Sequence, residues 1–263
     1  MISLATTSKT RQLIHLRDLF YGLVARDIKL RYKRSMLGIA WSLLVPLAQL
    51  LIFYFVFNLV LPLNIPNYTT FLFTGILPWA WFNAALLGAT GAIVENRELV
   101  RQVGFPVAIL PIVTVTSHLV HFLLSLPILF ILLLFDGYHL TSAILMLPIV
   151  ITLQFILTLG LAYLAATFHV TFRDTHHLLG ILLLLFFYLT PVFYDATAIP
   201  ARFQAFYQLN PMVHILNAYR GLLLRGELPT SSTLLVLGVL SAGLLYFSYM
   251  IFMRVHYRFV EEL

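Results

Sequence analysis

The chain has 263 residues, and its composition is far more apolar than that of a soluble protein of this length. Hydrophobic residues make up 61% of it and charged residues only 10%, whereas soluble domains have about 45–50% and about 25%. The 16 basic and 10 acidic side chains are too few to cover a soluble surface, and there is no cysteine. These facts exclude a soluble enzyme, a disordered chain and a disulfide scaffold, and they predict an integral membrane protein.

The stretches without charge locate the membrane spans, because a helix needs about 20 apolar residues to cross a bilayer. The first such stretch, 35–94, is too long for one helix, and turn-forming residues such as Pro62 and Asn64 divide it. The sequence predicts one all-α domain over residues 1–263 with six transmembrane helices. We place them near 37–60, 69–93, 107–134, 143–168, 177–194 and 233–253.

Two further segments are neither spans nor simple loops. Residues 13–34 carry apolar side chains at helical spacing between charged ones, which predicts an amphipathic helix on the membrane surface. The apolar residues are Leu13, Leu16, Phe20, Leu23 and Val24. Residues 195–232 contain apolar runs broken at Asn210–Pro211. We expect short re-entrant external helices there, because irregular backbone exposed to lipid would leave polar groups unpaired.

The basic residues are distributed unevenly between the two sides of the predicted bundle. Thirteen lie on the side of the N-terminus, and only Arg202, Arg220 and Arg225 lie on the other. Because cytoplasmic loops carry the excess of Lys and Arg, both termini are predicted to be cytoplasmic. This orientation accounts for the net charge of +6 without a nucleic-acid partner.

The sequence offers little chemistry of its own. A P-loop ends in Gly-Lys-Ser/Thr, but none of the three lysines follows a glycine, so ATP must be bound by a separate partner and no cofactor by this chain. His118 and His121 lie one turn apart and could hold a metal ion or relay a proton. No carboxylate or cysteine accompanies them, so we favour interhelical hydrogen bonding with Ser117 and predict no metal site.

Two other features allow two interpretations each. Residues 95–106 hold four charges and end in Gly104 and Pro106, which predicts a short charged helix that either docks a partner or is a solvated turn. Its apolar side chains, Leu99, Val103 and Phe105, could form a knob for a partner's groove. Aromatic clusters on the first, second and fifth spans are either an interfacial belt or rings that stack on sugars, and composition alone favours the belt.

Several motifs follow one another in the order seen in one known family. They are Arg26 to Tyr32, Leu37 to Trp41, Pro46, Gly75 to Trp79, Asn96 to Pro106, Phe172 to Asp174, Thr190 to Tyr194 and Leu209 to Met212. With the six-span layout, they make the chain resemble the ABC-2-type permeases that export polysaccharides, including O-antigen, teichoic-acid and capsule exporters.

The resemblance implies a homodimer in the bacterial cytoplasmic (inner) membrane that binds two copies of an ATPase subunit, on which ATP and Mg²⁺ are held. The cargo would be a lipid-pyrophosphate-linked glycan, and this chain would be a permease without enzymatic activity of its own. Two alternatives stay open. One is an ABC-2 permease for a drug, haem or lipid, and the other is a non-ABC channel or lipid-modifying enzyme.

The resemblance also assigns roles to particular residues. Those implied to contact the ATPase are Glu95, Asn96, Arg97, Glu98, Leu99, Arg101, Phe105 and Pro106, with Arg173 and Asp174 as a smaller contact and Arg26 and Asp27 on the N-terminal helix. Those implied to line the conduit for the glycan are Tyr54, Phe57, Trp79, Trp81, Phe82, Tyr188, Phe193 and Tyr194.

Overall fold

The structure, a computed structural model, describes residues 2–31, 33, 35, 37–60 and 65–262, and every regular element in that part of the chain is helical. The α-helices are α1 (Ile2–Arg31), α2 (Trp41–Tyr54), α3 (Tyr68–Gly91), α4 (Arg97–Val100), α5 (Ile109–Phe135), α6 (Leu147–Thr171), α7 (Thr175–Leu189), α8 (Ala201–Leu209), α9 (Pro211–Arg220), α10 (Ser231–Val255) and α11 (Phe259–Glu262). Two of them continue in wider π-helical turns, α2 through Phe55–Val60 and α9 through Gly221–Arg225. The predicted all-α class is confirmed.

Five helical stretches of the described chain are long and apolar enough to cross a membrane. They are Leu43–Val60, Tyr68–Gly91, Ile109–Phe135, Ser142–Thr171 and Ser231–Arg258, and each overlaps one of the predicted spans. We call the side on which α3 ends and α5 begins the α1 side, because α1 contacts the connection between them, and the opposite side the far side.

The remaining predicted span, 177–194, is shorter than the sequence indicated. Helix α7 has 15 residues and is about 22 Å long at 1.5 Å per residue, less than the ~30 Å hydrocarbon core. The helix stops at Leu189 and Thr190 is extended, with φ −100° and ψ 136°. Pro191 explains this end, because proline has no N–H and disfavours a helical conformation in the residue before it.

The turn between the first two spans lies partly outside the described residues, since 61–64 include Pro62 and Asn64. Its last residue, Asn67, has a left-handed backbone with φ +48°, a conformation that asparagine tolerates better than most residues. The Asn67 side chain donates a hydrogen bond to the Asp136 carbonyl (3.2 Å), which joins the start of α3 to the end of α5.

Helix α3 is the centre of the bundle and packs against α2, α5, α6, α7 and α9. Most of its side chains are buried, as expected of a helix that is surrounded by others. Helices α6 and α10 approach each other closely at Gly160, where an added Cβ would lie 3.0 Å from the backbone nitrogen of Leu245. Small residues at such crossings let helices pack tightly without a hydrophobic driving force in lipid.

The N-terminal helix α1 begins at Ile2, well before the predicted residue 13, and residues 32 and 34 of the predicted segment lie outside the described residues. Its second half packs against α5, where Leu23 and Val24 are buried. Leu13, which is nearer the start, is 67% exposed. The amphipathic helix therefore rests on the bundle through one end of its apolar stripe.

The two short helices predicted between the last two spans are α8 and α9, and the break between them is at Asn210–Pro211. The Asn210 side chain accepts a hydrogen bond from the Met212 amide (3.0 Å), and Pro211 occupies the first turn of α9. Both residues favour a helix start at this point. Helix α8 is exposed, whereas α9 is largely buried against α3, α6 and α10.

Candidate functional site

The connection between α3 and α5 forms a surface on the α1 side, which we call the docking surface (residues 95–106) after the partner contact that the resemblance implies for it. The Asn96 side chain donates to the Ala92 carbonyl (2.9 Å) and accepts a hydrogen bond from Arg26 of α1. Two of the residues that were assigned to ATPase contact from sequence, Arg26 and Asn96, are therefore brought together. Asp27 instead pairs with Arg31 of its own helix (3.8 Å).

The docking surface exposes its charges and one apolar side chain. Glu95, Arg97, Glu98 and Arg101 are exposed, whereas Asn96, Leu99, Phe105 and Pro106 are half-buried. Leu99 and Phe105 pack against the hydrophobic core of the bundle, so they support the surface from beneath. Val103 is fully exposed, and the left-handed Gly104 (φ +82°) that follows it turns the chain back toward α5. Of the three apolar residues of the expected knob, Val103 is the one that protrudes.

A second exposed segment, Phe172–Asp174, connects α6 to α7 and contains the predicted contact residues Arg173 and Asp174. The C-terminal helix α11 links this region to the docking surface. It packs on both α4 and α6, and Glu262 accepts a hydrogen bond from the Thr171 hydroxyl (2.9 Å). Sequence reasoning missed α11, whose only signal was an aromatic residue, Phe259, beyond the basic end of the last span.

A cavity of about 840 Å³ lies between α2, α3, α5 and α7. Trp79, Trp81 and Tyr188, three of the proposed conduit residues, contribute to its lining. The lining also includes polar groups, among them Gln49, Asn83, Ser125, His118, His121 and Arg31. This mixture of aromatic faces and hydrogen-bonding groups is suited to a ligand that has both C–H surfaces and hydroxyls.

Aromatic side chains from α2, α7 and the segment after α7 form a cluster at the far end of this cavity. Phe193 is its centre, and its ring centroid lies 5.0–6.0 Å from those of Phe53, Phe57, Phe187, Tyr188 and Tyr194. We call these six residues the aromatic cluster. Four of them were assigned to the conduit from sequence, Phe187 belongs to the aromatic run recognised on the fifth span, and Phe53 was not named. Phe53 precedes Phe57 by one helical turn, a spacing that could have identified it.

The other proposed conduit residues lie outside the aromatic cluster. Trp79 contacts the cluster through Phe187 at 5.7 Å between centroids, and Trp81 points to α5, where it stacks on Phe122 at 5.1 Å. Phe82 lines a separate apolar groove between α3, α6 and α7. Tyr54 is half-buried at the end of α2. The structure therefore divides most of the proposed residues among the aromatic cluster, the remaining wall of the cavity and the separate groove that Phe82 lines.

The histidine pair lies where α1 meets α5. His118 is buried, and its Nε2 lies 3.0 Å from a guanidinium nitrogen of Arg31. The Ser117 hydroxyl is buried without a hydrogen-bond partner among the described residues, so it takes no part in the expected network. Among all the residues that the structure describes, no three His, Cys, Asp or Glu side chains come together as a metal site.

Arg220 is the largest departure from the expected charge distribution, which placed it with Arg202 and Arg225 on the external side of the membrane. It is only 2% exposed and donates hydrogen bonds to the carbonyls of Pro191 (2.6 Å) and Val192 (2.7 Å). The sequence shows the positive charge of Arg220, but no sequence pattern predicts that this side chain is buried.

A bundle with five described helical stretches that are long and apolar enough to cross a bilayer has the architecture of a multi-pass membrane protein. The model of the ABC-2 type transporter family matches residues 18–224, and the chain belongs to this family. Helices α10 and α11 follow the matched range.

Curated relatives match over almost the whole chain. An O-antigen export system permease protein RfbA of Myxococcus xanthus is 36% identical over 256 residues, covering 96% of this chain and 98% of the relative. A protein of the same name from Klebsiella pneumoniae is 32% identical, with coverages of 95% and 96%. The polysialic acid transport protein KpsM of Escherichia coli is 25% identical and covers 78% of this chain and 81% of its own.

Proposed function

We propose that this protein is the membrane subunit of an ABC transporter that exports a lipid-linked polysaccharide across the inner membrane. The observation that carries the proposal is the near full-length similarity to O-antigen export permeases, at 36% identity and 98% coverage. The similarity to a polysialic acid transport protein supports the same class of cargo. A long carbohydrate also fits the chemistry of the cavity, which offers aromatic faces beside amide and hydroxyl groups.

We infer that the energy comes from a separate ATPase, two copies of which bind a homodimer of this chain. The absence of a P-loop in the sequence supports this division of labour. The docking surface offers what such a partner needs, because Val103 projects as an apolar anchor among Arg97, Glu98 and Arg101. An apolar side chain that enters a partner's pocket contributes far more to binding than single exposed ion pairs.

We infer that the glycan passes along the cavity and the aromatic cluster. The cavity is open on the face formed by α2 and α7, where Val45, Leu184 and Tyr188 are exposed. A second copy of the chain on that face would convert an open groove into an enclosed path. Both termini would be cytoplasmic, so that the docking surface faces the ATPase and the aromatic cluster lies toward the outer leaflet.

Deletion and complementation of the gene test this function. We expect the deletion to abolish the surface glycan and to cause lipid-linked glycan to accumulate inside the cell. Expression of the chain should restore export, whereas expression with an ATPase partner that cannot hydrolyse ATP should not. Normal surface glycan in the deletion strain would contradict the proposal.

A further inference from the structure

The structure holds a fully buried arginine at the end of α9, in a chain whose apolar spans contain almost no charged residues. One guanidinium nitrogen of Arg220 donates to the Pro191 carbonyl at 2.6 Å and lies 3.5 Å from the Tyr194 carbonyl, and the other donates to the Val192 carbonyl at 2.7 Å. The guanidinium carbon lies 3.8 Å from the ring centroid of Phe71. A buried cation is tolerated only where such partners compensate for its lost hydration.

The carbonyls that Arg220 contacts belong to the irregular backbone after α7. The one carbonyl between them, that of Phe193, accepts a hydrogen bond from the Tyr68 hydroxyl (2.9 Å). Side chains therefore satisfy all four carbonyls from Pro191 to Tyr194. Non-helical backbone at membrane depth is stable only where its polar groups are paired in this way, so the conformation of this segment depends on Arg220 and Tyr68.

A counter-charge lies nearby in Asp195. Burial raises the pKa of Asp195, but hydrogen bonds from the Thr197 amide (2.8 Å) and hydroxyl (2.7 Å) and the charge of Arg220 together hold its pKa below the ordinary value. Asp195 is therefore ionised at neutral pH, and its charge balances that of the arginine.

The space around Arg220 is closed on the side of α3. A Cβ added to Gly75 would lie 2.5 Å from the Val192 carbonyl oxygen and 2.9 Å from the Arg220 guanidinium. Glycine at position 75 is therefore what lets α3, the guanidinium and the irregular segment pack in contact.

We propose that Arg220 is a positioning residue for the aromatic cluster, which it fixes by holding the backbone of residues 191–194. Phe193 lies on the held segment, and its ring contacts Phe53, Phe187 and Tyr188, all of which line the cavity. The arginine thereby sets the width of the far end of the cavity. This inference rests on the proposed function only in naming the cavity as the glycan's path.

Arg220→Lys is the informative substitution, because lysine keeps the positive charge but lacks the forked guanidinium group. The planar guanidinium presents separate nitrogens to Pro191 and Val192, whereas a lysine ammonium is a single point of contact on a flexible stem. In Arg220→Lys we expect residues 191–194 to lose at least one of their hydrogen bonds and to become mobile, while membrane insertion and assembly persist.

Since the chain has no cysteine, one introduced thiol reports the position of this segment without background. The experiment places Phe193→Cys in the chain assembled with its ATPase and measures labelling by a membrane-impermeant maleimide from outside the cell. Arg220→Lys should accelerate labelling on the order of tenfold, the factor expected from the loss of one buried hydrogen bond. Tyr68→Phe, which removes only the Phe193 contact, should accelerate it less.

Two controls make the result specific. Arg225→Lys changes an exposed arginine that pairs with Glu227 (3.0 Å), and it should leave the labelling unchanged. Phe206→Cys on the exposed helix α8 should react at the same rate with or without Arg220→Lys. Equal labelling of Phe193→Cys in the Arg220→Lys, Tyr68→Phe and unsubstituted backgrounds would overturn the proposal. A parallel rise at position 206 would also overturn it, because the effect would then be general unfolding.

The labelling needs no transport, so it separates this inference from the proposed function. If Arg220→Lys accelerates labelling but Phe193→Ala exports glycan normally, the role of Arg220 in holding the segment stands and the glycan path lies elsewhere.

Discussion

The two ends of the molecule use arginine in opposite ways. On the α1 side, Arg97 has a side chain that is 62% exposed, and its ion pair with Glu98 spans 3.6 Å. On the far side, Arg220 is 2% exposed and donates to backbone carbonyls. An exposed pair contributes about 0–1 kcal/mol, whereas each buried carbonyl that loses its donor costs about 1–3 kcal/mol. The exposed charges of the α1 side therefore contribute little to the fold, whereas the buried arginine of the far side holds an unusual backbone.

The largest effect that this comparison predicts is on stability at the far side. Arg220→Ala leaves the buried carbonyls of Pro191 and Val192 unpaired, at about 1–3 kcal/mol for each, and should lower the free energy of unfolding by about 2–6 kcal/mol. Thermal unfolding of the purified protein in detergent measures this as a large fall in Tm. Arg225→Ala, five residues on and exposed, should change the free energy of unfolding by less than about 1 kcal/mol. Equal Tm values for the two variants would contradict the proposed difference between the buried Arg220 and the exposed Arg225.

The next effect concerns the packing of α3 against the same segment. Gly75→Ala places a methyl group against the Val192 carbonyl and should cost about 1–3 kcal/mol of stability, as overpacking does elsewhere. Gly243→Ala is the matched control, since no atom lies within 4 Å of its Cβ position and alanine favours a helix over glycine by about 0.5–1 kcal/mol. The two alanine substitutions should shift Tm in opposite directions, and a shift in the same direction would argue against the close contact at Gly75.

At the α1 side, the predicted effect is on binding rather than stability. Val103→Asp should reduce co-purification of the ATPase at least about tenfold, because it removes the protruding apolar anchor and places a charge in the partner's pocket. Leu228→Asp changes an equally apolar, 61% exposed residue on the far side and should leave the binding unchanged. Tm should stay near the unsubstituted value for both. Undiminished binding by Val103→Asp would place the principal contact elsewhere, with α1 as the next surface to test.

The smallest predicted effect is that of a single exposed charge. Arg97→Ala removes one surface ion pair and should weaken ATPase co-purification by less than about fivefold, consistent with about 0–1 kcal/mol. A loss larger than that of Val103→Asp, measured in the same assay, would mean that charge rather than the apolar anchor dominates docking.

Sequence reasoning predicted what repeats regularly along the chain and missed what depends on tertiary contacts. The spans follow from charge-free stretches, and the helix break at Asn210–Pro211 follows from local conformational preferences. The early end of α7 also has a local signal that the predicted span 177–194 did not use, since Pro191 disfavours a helical conformation at Thr190. Arg220 was not, because its partners are backbone carbonyls about 30 residues away in sequence, and no residue pattern encodes them.

The candidate sites divide in the same way. Charge density predicted a short charged helix in this segment, whereas its docking role was implied only by the family resemblance. That Val103 protrudes, rather than Leu99 or Phe105, required the structure, because burial depends on what α4 packs against. The aromatic cluster was predicted in part from runs of aromatic residues. Its membership depends on the approach of α2 to the segment after α7, which brings Phe53 to Phe193. Trp81 lines the same cavity outside the cluster, and Phe82 lines a separate groove.

The most direct test of the central claim, that the glycan moves along the aromatic cluster, is export by a Phe53→Ala, Phe57→Ala double variant. Neither substitution touches the docking surface, and Phe57 and Phe53 stack on each other and on Phe193. We expect the variant to insert and to retain the ATPase, while surface glycan falls severely and lipid-linked glycan accumulates inside the cell. Normal surface glycan from a variant with unchanged assembly would contradict the claim.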